Sequence, residues 1–332
     1  MRPLAEAVPG FVPIIHASLA DRPDEADTVI AAEAIRNALV SLGHESEILA
    51  LDLDFSILAG LAERDPDALV FNLVEAVRGD ATLAHMAPAL LEHFGLAFTG
   101  SGLVAHLRTM SKIVTKQSLR ASGLPTPAWW VAGEAVPAKE RVIIKSVREH
   151  ASYGLDIGSV VGGDRAAAEM AARESRFGGE FFAERFLDGR EFNAAILAGP
   201  DGPELLPLQE IRFDELEAGR PRIVDYEAKW DETSAAYHHT PRCFGVEARE
   251  PELAAEIARL SLECWREFDL AGYGRVDFRT DDNGTPFILE VNINPCLTPD
   301  AGLFATAAEA GLSYADIIAR IVADAGQRIR RP

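Results

Sequence analysis

Basic residues are scarce in this chain of 332 residues: 32 Lys and Arg face 52 Asp and Glu, which leaves a formal charge of −20 at pH 7. Surfaces that follow a nucleic-acid backbone or an anionic membrane need clustered Lys and Arg. Because the balance is so acidic, we expect neither nucleic acid nor a membrane as a partner. An anionic substrate would require the few positive charges to be concentrated at particular points.

Long apolar runs and cysteines are also few. No apolar run approaches the about 18 residues that cross a bilayer, and the segment MRPLAEAVPGFVPII lacks the charged-then-apolar pattern of a signal peptide. The three cysteines, Cys243, Cys264 and Cys296, are too few and too odd in number for a disulfide framework, which favours a reducing cytoplasm. Repeats and low-complexity segments are missing too. With 48% apolar and 25% charged residues, the composition is that of an ordinary globular protein.

The first third of the chain alternates between strand and helix patterns. Strands are predicted at Phe11–His16, Glu47–Leu51, Ala68–Leu73 and Leu96–Thr99, and helices at Asp27–Leu42 and His85–His93. Such alternation predicts a parallel sheet with helices on both faces, an α/β unit. We place its boundary near Ser101-Gly102.

The rest of the chain has a mixed pattern that predicts an α+β fold. Helices are predicted at Lys112–Ala121, Arg165–Ser175, Glu250–Phe268 and Tyr314–Ala325, and strands at Arg141–Ser146, Phe181–Phe186, Glu191–Leu197 and Leu205–Ile211. Two further strands are the clearest of all, in the segment YGRVDFRTDDNGTPFILEVN at Tyr273–Asn292.

That segment predicts a β-hairpin, because two alternating runs flank Asn283-Gly284, a typical two-residue turn. Such a turn places Asp277 opposite Glu290 and Arg275 opposite Asn292. All four then share one face of the sheet, since side chains two apart on a strand point the same way. The other, buried face would consist of Val276, Phe278, Leu289 and Val291.

Two carboxylates placed directly across a sheet repel each other. A hard divalent cation would offset the repulsion. Asp277, Glu290 and the amide oxygen of Asn292 suit Mg²⁺, with nucleotide phosphates as further ligands, and Arg275 is well placed to hold a phosphoryl oxygen. A solvated polar face, with Arg275 paired to an acid, is the alternative, and spacing alone does not separate the two.

The sequence of this hairpin, RVDF followed by LEVNINP, resembles the metal-binding end of the ATP-grasp ligases, and in particular the D-alanine–D-alanine ligase branch. Further blocks resemble that branch in the same order: FNLVEAVRGDATL, GLAFTGSG, SKIVTKQSLRASGLPTP, VIIKSVREHASYG, ERFLDGREF and DYEAKW. The resemblance implies an ATP-grasp fold in which ATP lies between two α+β subdomains. The expected division is an N-terminal Rossmann-like (pre-ATP-grasp) domain at 1–102, a central subdomain at 103–188 and a C-terminal subdomain with the metal site at 189–332.

The resemblance also implies roles for residues that would otherwise pass unnoticed. Lysines that contact ATP phosphates would be Lys112, Lys145 and Lys229, although taken singly each could be an ordinary surface lysine. Residues for the nucleoside would be Glu184 (accepting from the exocyclic amine of adenine), Phe186 and Leu187 (adenine slot and hinge), Leu289 (below the base) and Glu191 (ribose). Mg²⁺ is the expected metal, with two ions and with Mn²⁺ as a substitute.

Arg148–Gly154 corresponds to a mobile loop over the ATP phosphates. In the D-alanine–D-alanine ligases a Ser and a Tyr join the mobile loops through an N-terminal Glu. Here the Ser position is Ala151 with Ser152 beside it, the Tyr position is Trp230, and the acid falls at Asp24 or Glu25. The alternative for the two acids is a helix N-terminal turn that is favourable with the helix dipole.

The acceptor side departs from the family pattern. Cys296 replaces the Gly whose backbone N–H serves the oxyanion, Ala301 replaces the Ser that binds the second carboxylate, and Asp300 is gained. These changes speak against a second D-alanine. For Cys296 a small packed thiol is preferred to a nucleophile. A metal site at His238, His239 and Cys243 lacks a fourth ligand, so surface or substrate-loop residues are the preferred interpretation.

The expected function is therefore an ATP- and Mg²⁺-dependent carboxylate–amine ligase that joins two amino-acid-like substrates through an acyl phosphate. The family mechanism needs no enzyme nucleophile, because positioning and charge neutralisation carry the catalysis. The alternatives are a nucleotide-binding regulatory protein and a kinase on the same fold. Small amino-acid-like molecules are the expected partners, with a homodimer as one candidate assembly.

Overall fold

The computed structural model describes residues 10–17, 23–149, 152–213, 219–230 and 233–328, without the side chains of residues 23–26 and 230. The strands are β1 (Ile14–Ala17), β2 (Ile48–Leu51), β3 (Leu69–Asn72), β4 (Ala97–Phe98), β5 (Trp129–Trp130), β6 (Arg141–Ser146), β7 (Val160–Gly162), β8 (Phe181–Arg185), β9 (Glu191–Gly199), β10 (Gly202–Leu205), β11 (Gln209–Ile211), β12 (Arg242–Cys243), β13 (Tyr273–Thr280) and β14 (Pro286–Asn292). The α-helices are α1 (Pro23–Ser41), α2 (Ser56–Arg64), α3 (Met86–Phe94), α4 (Leu103–Thr109), α5 (Lys112–Ala121), α6 (Ala166–Phe177), α7 (Tyr226–Trp230), α8 (Ala235–His238), α9 (Val246–Arg249), α10 (Pro251–Glu267), α11 (Gly302–Glu309) and α12 (Tyr314–Arg328).

The first sheet is parallel and has the strand order β2-β1-β3-β4. Ile14 and Phe71 pack on one face against α1 and the C-terminal helix α12. Ile15 and Val70 pack on the other face against α2 and α3. The predicted α/β unit with helices on both faces is confirmed, and its cover on one side includes a helix from the far end of the chain.

The second sheet, with the order β5-β8-β6-β7, is antiparallel and is covered by α6. The third and largest sheet has the order β12-β11-β9-β13-β14, with β10 also paired to β9. Helix α10 begins with Pro251, which fits a first helical position. It packs Ile257, Leu260 and Cys264 against one face of this sheet. The other face packs Leu197 and Tyr273 against α12 and lines a cavity elsewhere, and the predicted α+β character is confirmed.

The strand predicted at Leu205–Ile211 is wrong, because the structure divides it between β10 and β11. Pro207 lies in the gap and has no N–H to give to the ladder. The next N–H, of Leu208, donates instead to the Glu247 carboxylate at 2.6 Å.

The hairpin of β13 and β14 confirms that Asp277 lies opposite Glu290 and Arg275 opposite Asn292. The predicted two-residue turn is wrong. The Asp281 N–H donates to the Thr285 carbonyl at 2.9 Å, which leaves three residues in the loop. Gly284, at φ +82°, takes the left-handed position that such three-residue loops require.

The longer turn shifts the register near the loop, where Thr280 lies opposite Pro286, and a bulge between Asp277 and Phe278 restores it. Leu289 is the extra residue on the bulged strand. As a result Ile288, at 0% exposure, takes the buried position. The assignment of Leu289 to the buried face is therefore wrong, and its side chain lines the cavity instead.

Other composition-based expectations are only partly tested by the fold. Cys243, Cys264 and Cys296 all lie in the described part of the chain and are free, in agreement with their odd number. Within the described ranges, no helix is both long and apolar enough to cross a membrane. The boundaries near residues 102 and 188 stay predictions, as do a cytoplasmic location and a homodimer.

Candidate active site

A cavity of about 730 Å³ receives residues from all three sheets. The ends of β1 and β3 contribute Ala17 and Leu73, which lie at the carboxyl edge of the parallel sheet, the edge where such sheets bind ligands. The second sheet contributes one wall through β6 and β8, and the exposed face of the third sheet forms another wall.

Most of the residues predicted to form a site lie around this cavity. They are Lys112, Lys145, Ser152, Glu184, Phe186, Leu187, Glu191, Lys229, Arg275, Asp277, Leu289, Glu290, Asn292, Cys296 and Asp300. The other three, Asp24, Glu25 and Trp230, have side chains outside the described part of the structure. Their roles stay predictions.

Asp277 and Glu290 face each other across β13 and β14, and the repulsion between them is offset in the way the alternative interpretation expected. Arg275 donates from Nε and Nη2 to the two oxygens of Asp277, at 2.7 and 2.9 Å. Burial alone would lower the pKa of Arg275, but Asp277 beside it raises the pKa above the ordinary value. The guanidinium is therefore a permanent charge at this point.

Asn193 also supports the carboxylate, since its Nδ2 donates to Asp277 Oδ1 at 2.8 Å. The residue was not predicted. It lies two positions after Glu191 on β9 and pairs with Asp277 in the ladder, so its side chain shares the same face. The signal was present in the alternation of β9, but only the pairing of β9 with β13 connects it to the site.

Glu290 lies beside a buried lysine. The Lys112 ammonium lies 4.0 Å from Glu290 Oε1 and donates to the Glu149 carbonyl at 2.6 Å. Burial lowers the pKa of Lys112, although Glu290 opposes the shift. Asn292 Oδ1 accepts from the Asn294 N–H at 3.0 Å. In the described residues no three His, Cys, Asp or Glu side chains converge on one point, so a cation here would have two carboxylates and an amide, with its other ligands from outside the protein.

Glu184 lies on β8 and pairs with two lysines, Lys145 and Lys116. Lys116 was not predicted. It follows Lys112 by four residues on α5, a spacing that places both on one helix face, but a lysine on an amphipathic helix is ordinarily read as solvent-exposed.

Glu191, predicted to bind ribose, pairs with Arg279 Nη2 at 3.0 Å. Arg279 is 4% exposed and donates to the Leu187 carbonyl at 2.7 Å. It was missed as well, although it follows Asp277 by two on the same strand and must share its face. Its contacts join the predicted hinge to the predicted ribose acid.

Ser152 lies in the loop after β6 and connects it to the segment that leads into α7. Its hydroxyl donates to the Val224 carbonyl at 2.9 Å, and the Tyr226 N–H donates to the Leu155 carbonyl at 3.2 Å. Ser152 has a φ of +62°, a conformation that costs a non-glycine residue roughly 1–2 kcal/mol. The loop is thus held against the segment that carries Lys229.

Lys229 is open to the cavity, yet protein groups surround its ammonium. Burial and the neighbouring Arg275 lower its pKa, while Glu290, Asp277 and Glu75 oppose the shift. An anion bound beside this ammonium would stabilise its protonated form.

Cys296 also lines the cavity, with its Sγ 3.4 Å from Thr298 Oγ1. Burial raises the pKa of the thiol, so it stays protonated, which favours a packed thiol over a nucleophile. Asp300 also lines the cavity, and its backbone carbonyl accepts from Arg242 Nη1 at 2.9 Å. His238, at the end of α8, is exposed, His239 beside it is half-buried, and Cys243 lies on β12, with no metal cluster among the described residues.

Asp27 and Glu75 also line the cavity and were not predicted. Asp27 lies three residues after Asp24 on α1, and Glu75 follows β3. Residues beyond the carboxyl ends of parallel strands are natural ligand contacts, which is the signal that could have identified Glu75.

The chain was compared with known proteins. Residues 134–323 match the family model described as D-ala D-ala ligase C-terminus. An uncharacterized protein y4sG from Sinorhizobium fredii is 31% identical over 90% of this chain and 88% of its own length. A D-alanine–D-alanine ligase from Bordetella petrii is 30% identical over 100% of this chain and 96% of its own.

Solved structures agree on the fold. The D-alanine–D-alanine ligase from Bacillus anthracis, in its complex with ATP, matches with a TM-score of 0.72 at 20% identity, over 96% of this chain and 98% of that one. The parallel N-terminal sheet followed by two antiparallel sheets is the ATP-grasp arrangement that the sequence resemblance implied. On the extent of these matches, this chain belongs to the D-alanine–D-alanine ligase family of ATP-grasp ligases.

Proposed function

We propose that the protein is an ATP-dependent carboxylate–amine ligase that joins two amino-acid-like substrates through an acyl phosphate. The observation that carries the proposal is that Lys112, Lys145, Lys229 and Arg275 meet the facing carboxylates Asp277 and Glu290 in one cavity. These four basic groups, gathered in a chain with a formal charge of −20, indicate a polyanionic ligand. The relative from Bacillus anthracis has been solved in complex with ATP, which supports ATP as that ligand.

ATP would lie along the exposed face of the third sheet. Glu184 and the Leu187 backbone would hold adenine, Phe186 and Leu289 would cover its two faces, and Glu191 would hold ribose. The triphosphate would then reach Lys112, Lys145 and Lys229. The lowered pKa values of Lys112 and Lys229 support this placement. Burial destabilises their protonated ammonium groups, and a bound polyphosphate would stabilise them.

Asp277, Glu290 and Asn292 would hold Mg²⁺, in the expected number of two ions, or Mn²⁺ in its place. Their donors are all oxygen atoms, the set that hard cations prefer. When bound, Mg²⁺ neutralises phosphate charge. Since Arg275 covers both oxygens of Asp277 in the free protein, we propose that the metal enters together with the nucleotide, when the phosphates offer Arg275 another partner.

The protein's own groups then position the reaction. The carboxylate of the first substrate attacks the γ-phosphorus, which breaks the bond to ADP and gives an acyl phosphate. The amine of the second substrate attacks the acyl carbon, phosphate leaves, and the amine gives up a proton to form the amide. Arg275 and the lysines stabilise charge on the transferring phosphoryl group. The loop held by Ser152 excludes water, which would otherwise hydrolyse the acyl phosphate.

The second substrate is proposed to differ from D-alanine. Cys296, Asp300 and Ala301 line the cavity. The negative charge of Asp300 would repel the free carboxylate of a second D-alanine. A dipeptide or specialised-metabolite ligase is favoured over an enzyme that makes a cell-wall precursor.

Titration of ATP and Mg²⁺ with a panel of D- and L-amino acids, with ADP release as the readout, tests the proposal. We expect ADP release that depends on a pair of amino acids and a product whose mass is that of the amide. Tight ATP binding with no amino-acid-stimulated ADP release would indicate a regulatory protein instead. A stable phosphorylated product without an amide would indicate a kinase.

A further inference from the structure

Lys116 is buried beneath the cavity and does not line it. Its side chain is 1% exposed. The ammonium donates to Thr126 Oγ1 at 2.8 Å, and the Thr126 hydroxyl donates to the Ile288 carbonyl at 2.8 Å, beside the bulge of β14. The ring of Trp129 lies 5.7 Å away. These contacts fix Lys116 in place, with no path to a ligand.

Glu184 receives both lysines, one on each oxygen. Lys116 pairs with Oε2 and Lys145 with Oε1. The Glu184 side chain is 1% exposed, whereas that of Lys145 is 15% exposed and lines the cavity. The Glu184 carboxylate therefore has two positive partners: Lys145, which can also reach a ligand, and Lys116, which cannot.

A carboxylate buried to this degree stays ionised only when it is paired. Burial raises the pKa of Glu184, but Lys116 and then Lys145 more than offset this and hold the pKa below its ordinary value. Lys112, also on α5, is a further cation near the two lysines. When a triphosphate engages Lys145, that lysine is shared, and Lys116 becomes the main support for the charge on Glu184.

We propose that Lys116 is a positioning residue that keeps Glu184 ionised while nucleotide is bound, and that it thereby sets the selectivity for adenine. The inference rests on the proposed placement of adenine against Glu184. An ionised carboxylate can only accept hydrogen bonds, which matches the 6-amino group of adenine. A protonated Glu184 would present an O–H donor, which matches the 6-oxo group of hypoxanthine.

Lys116→Met tests this, with Arg120→Met as a matched control. Arg120 lies one turn further along α5 and stacks on the same Trp129 ring, 3.8 Å from its centroid. We expect the ratio of kcat/KM for ATP to that for ITP to fall about tenfold or more in Lys116→Met, the effect of a lost hydrogen bond to a charged group, and to stay near the wild-type value in Arg120→Met. Because Glu184 ionises again at higher pH, the ratio in Lys116→Met should recover as pH rises.

If Lys116 had only a structural role, its loss would lower kcat/KM for ATP and for ITP by the same factor. An unchanged ratio in a folded Lys116→Met protein would therefore overturn the proposal. If that variant does not fold, Lys116→Gln is the milder change, because it keeps a polar group of similar length but removes the charge. It should show the same fall in the ATP to ITP ratio, and a wild-type ratio would again overturn the proposal.

The test is separable from that of the proposed function. Binding of ATP and of ITP to the wild type and to both variants, measured by calorimetry without amino acids, gives the same ratio. If no amino-acid pair stimulates ADP release but binding selectivity falls in Lys116→Met, the ligase proposal fails and the role of Lys116 stands.

Discussion

The two ends of the cavity are built differently. At the nucleotide end, the positions of the functional groups follow from β-ladder register: Glu191 pairs with Arg279, and Asn193 pairs with Asp277, which faces Glu290. At the end proposed to hold the amino-acid substrates, Asp27, Glu75, Cys296 and Asp300 come from a helix start and from connections between elements. Paired strands hold groups rigidly enough for phosphoryl transfer, whereas connections can change without disturbing the sheet. On the proposed function, reaction type and substrate choice would therefore reside in different parts of the fold.

Charge is mixed around the cavity. Lys112, Lys145, Lys229 and Arg275 line it together with the carboxylates of Asp277, Glu290, Glu75 and Asp300. Four basic residues of a chain with a formal charge of −20 thus lie where a polyanion is proposed to bind.

The largest effect is expected at the facing carboxylates. Glu290→Gln and Asp277→Asn should each lower ADP release by about 10³-fold, since each removes charge that organises the transferring phosphoryl group. Measurement of ADP release at saturating ATP and Mg²⁺ checks this. Near-normal turnover in either variant would show that the metal assignment is wrong.

The same two variants should differ in stability. Asp277 holds Arg275 through two hydrogen bonds and accepts from Asn193. Asp277→Asn therefore leaves a largely buried arginine without its carboxylate, a costly loss. Glu290→Gln mainly relieves repulsion. Thermal unfolding should show a lower Tm for Asp277→Asn than for Glu290→Gln, and equal Tm values would contradict the pairing.

Arg279→Met should weaken the binding of ATP without affecting that of the amino acids. Arg279 joins the Leu187 carbonyl to Glu191, so its loss should raise KM for ATP about tenfold, as expected when hydrogen bonds to a charged group are removed, with KM for the amino acids little changed. Arg259→Met, on the exposed side of α10, is the control. An equal rise in KM for every substrate would instead indicate general loosening of the fold.

Regular helices and strands were the part of the fold that could be predicted from the sequence. Helix α5 and strand β6 begin and end at the predicted residues, because polar and apolar residues alternate there with a clear period. The hairpin pairing was right although its turn was not, since the bulge at Leu289 compensated the extra loop residue. The alternation of side chains along a strand predicts which residues face each other near the site. It does not reveal a bulge, in which one extra residue corrects the register after a longer turn.

Lys116 and Arg279 escaped prediction for a different reason. Both lie on a predictable face, yet buried cations are rare, and only the tertiary pairing with Glu184 and Glu191 explains them. Asp27 and Glu75 act on Cys296 from the N-terminal α/β unit, the first from a helix and the second from the connection after β3. Contacts between distant segments leave no local pattern, so the substrate end was the least predictable part of the site.

A smaller effect is expected from pH. Burial lowers the pKa of Lys112 in the free protein, so its ammonium loses the proton at a lower pH than an ordinary lysine does. The charged form binds phosphate, hence kcat/KM for ATP should fall on the alkaline side as pH rises through that lowered pKa. Arginine stays protonated. Because kcat/KM reports groups of the free enzyme, kcat/KM for ATP should fall less between neutral and alkaline pH in Lys112→Arg than in the wild type. Superimposable pH profiles would exclude Lys112 as the titrating group.

The smallest effect concerns the substrate end. Asp300 is exposed and lines the cavity, and the interaction of an exposed charge is worth about 0.2–1 kcal/mol. Asp300→Ala should therefore change the ratio of kcat/KM between acceptors by a few-fold, in favour of those with a free carboxylate, with KM for ATP unchanged. Asp282→Ala, at the exposed tip of the β13–β14 loop, is the matched control. A uniform loss across all acceptors would mean that Asp300 does not recognise them. A change in preference would confirm that acceptor choice depends on a connection outside the strands that carry the phosphoryl-transfer groups.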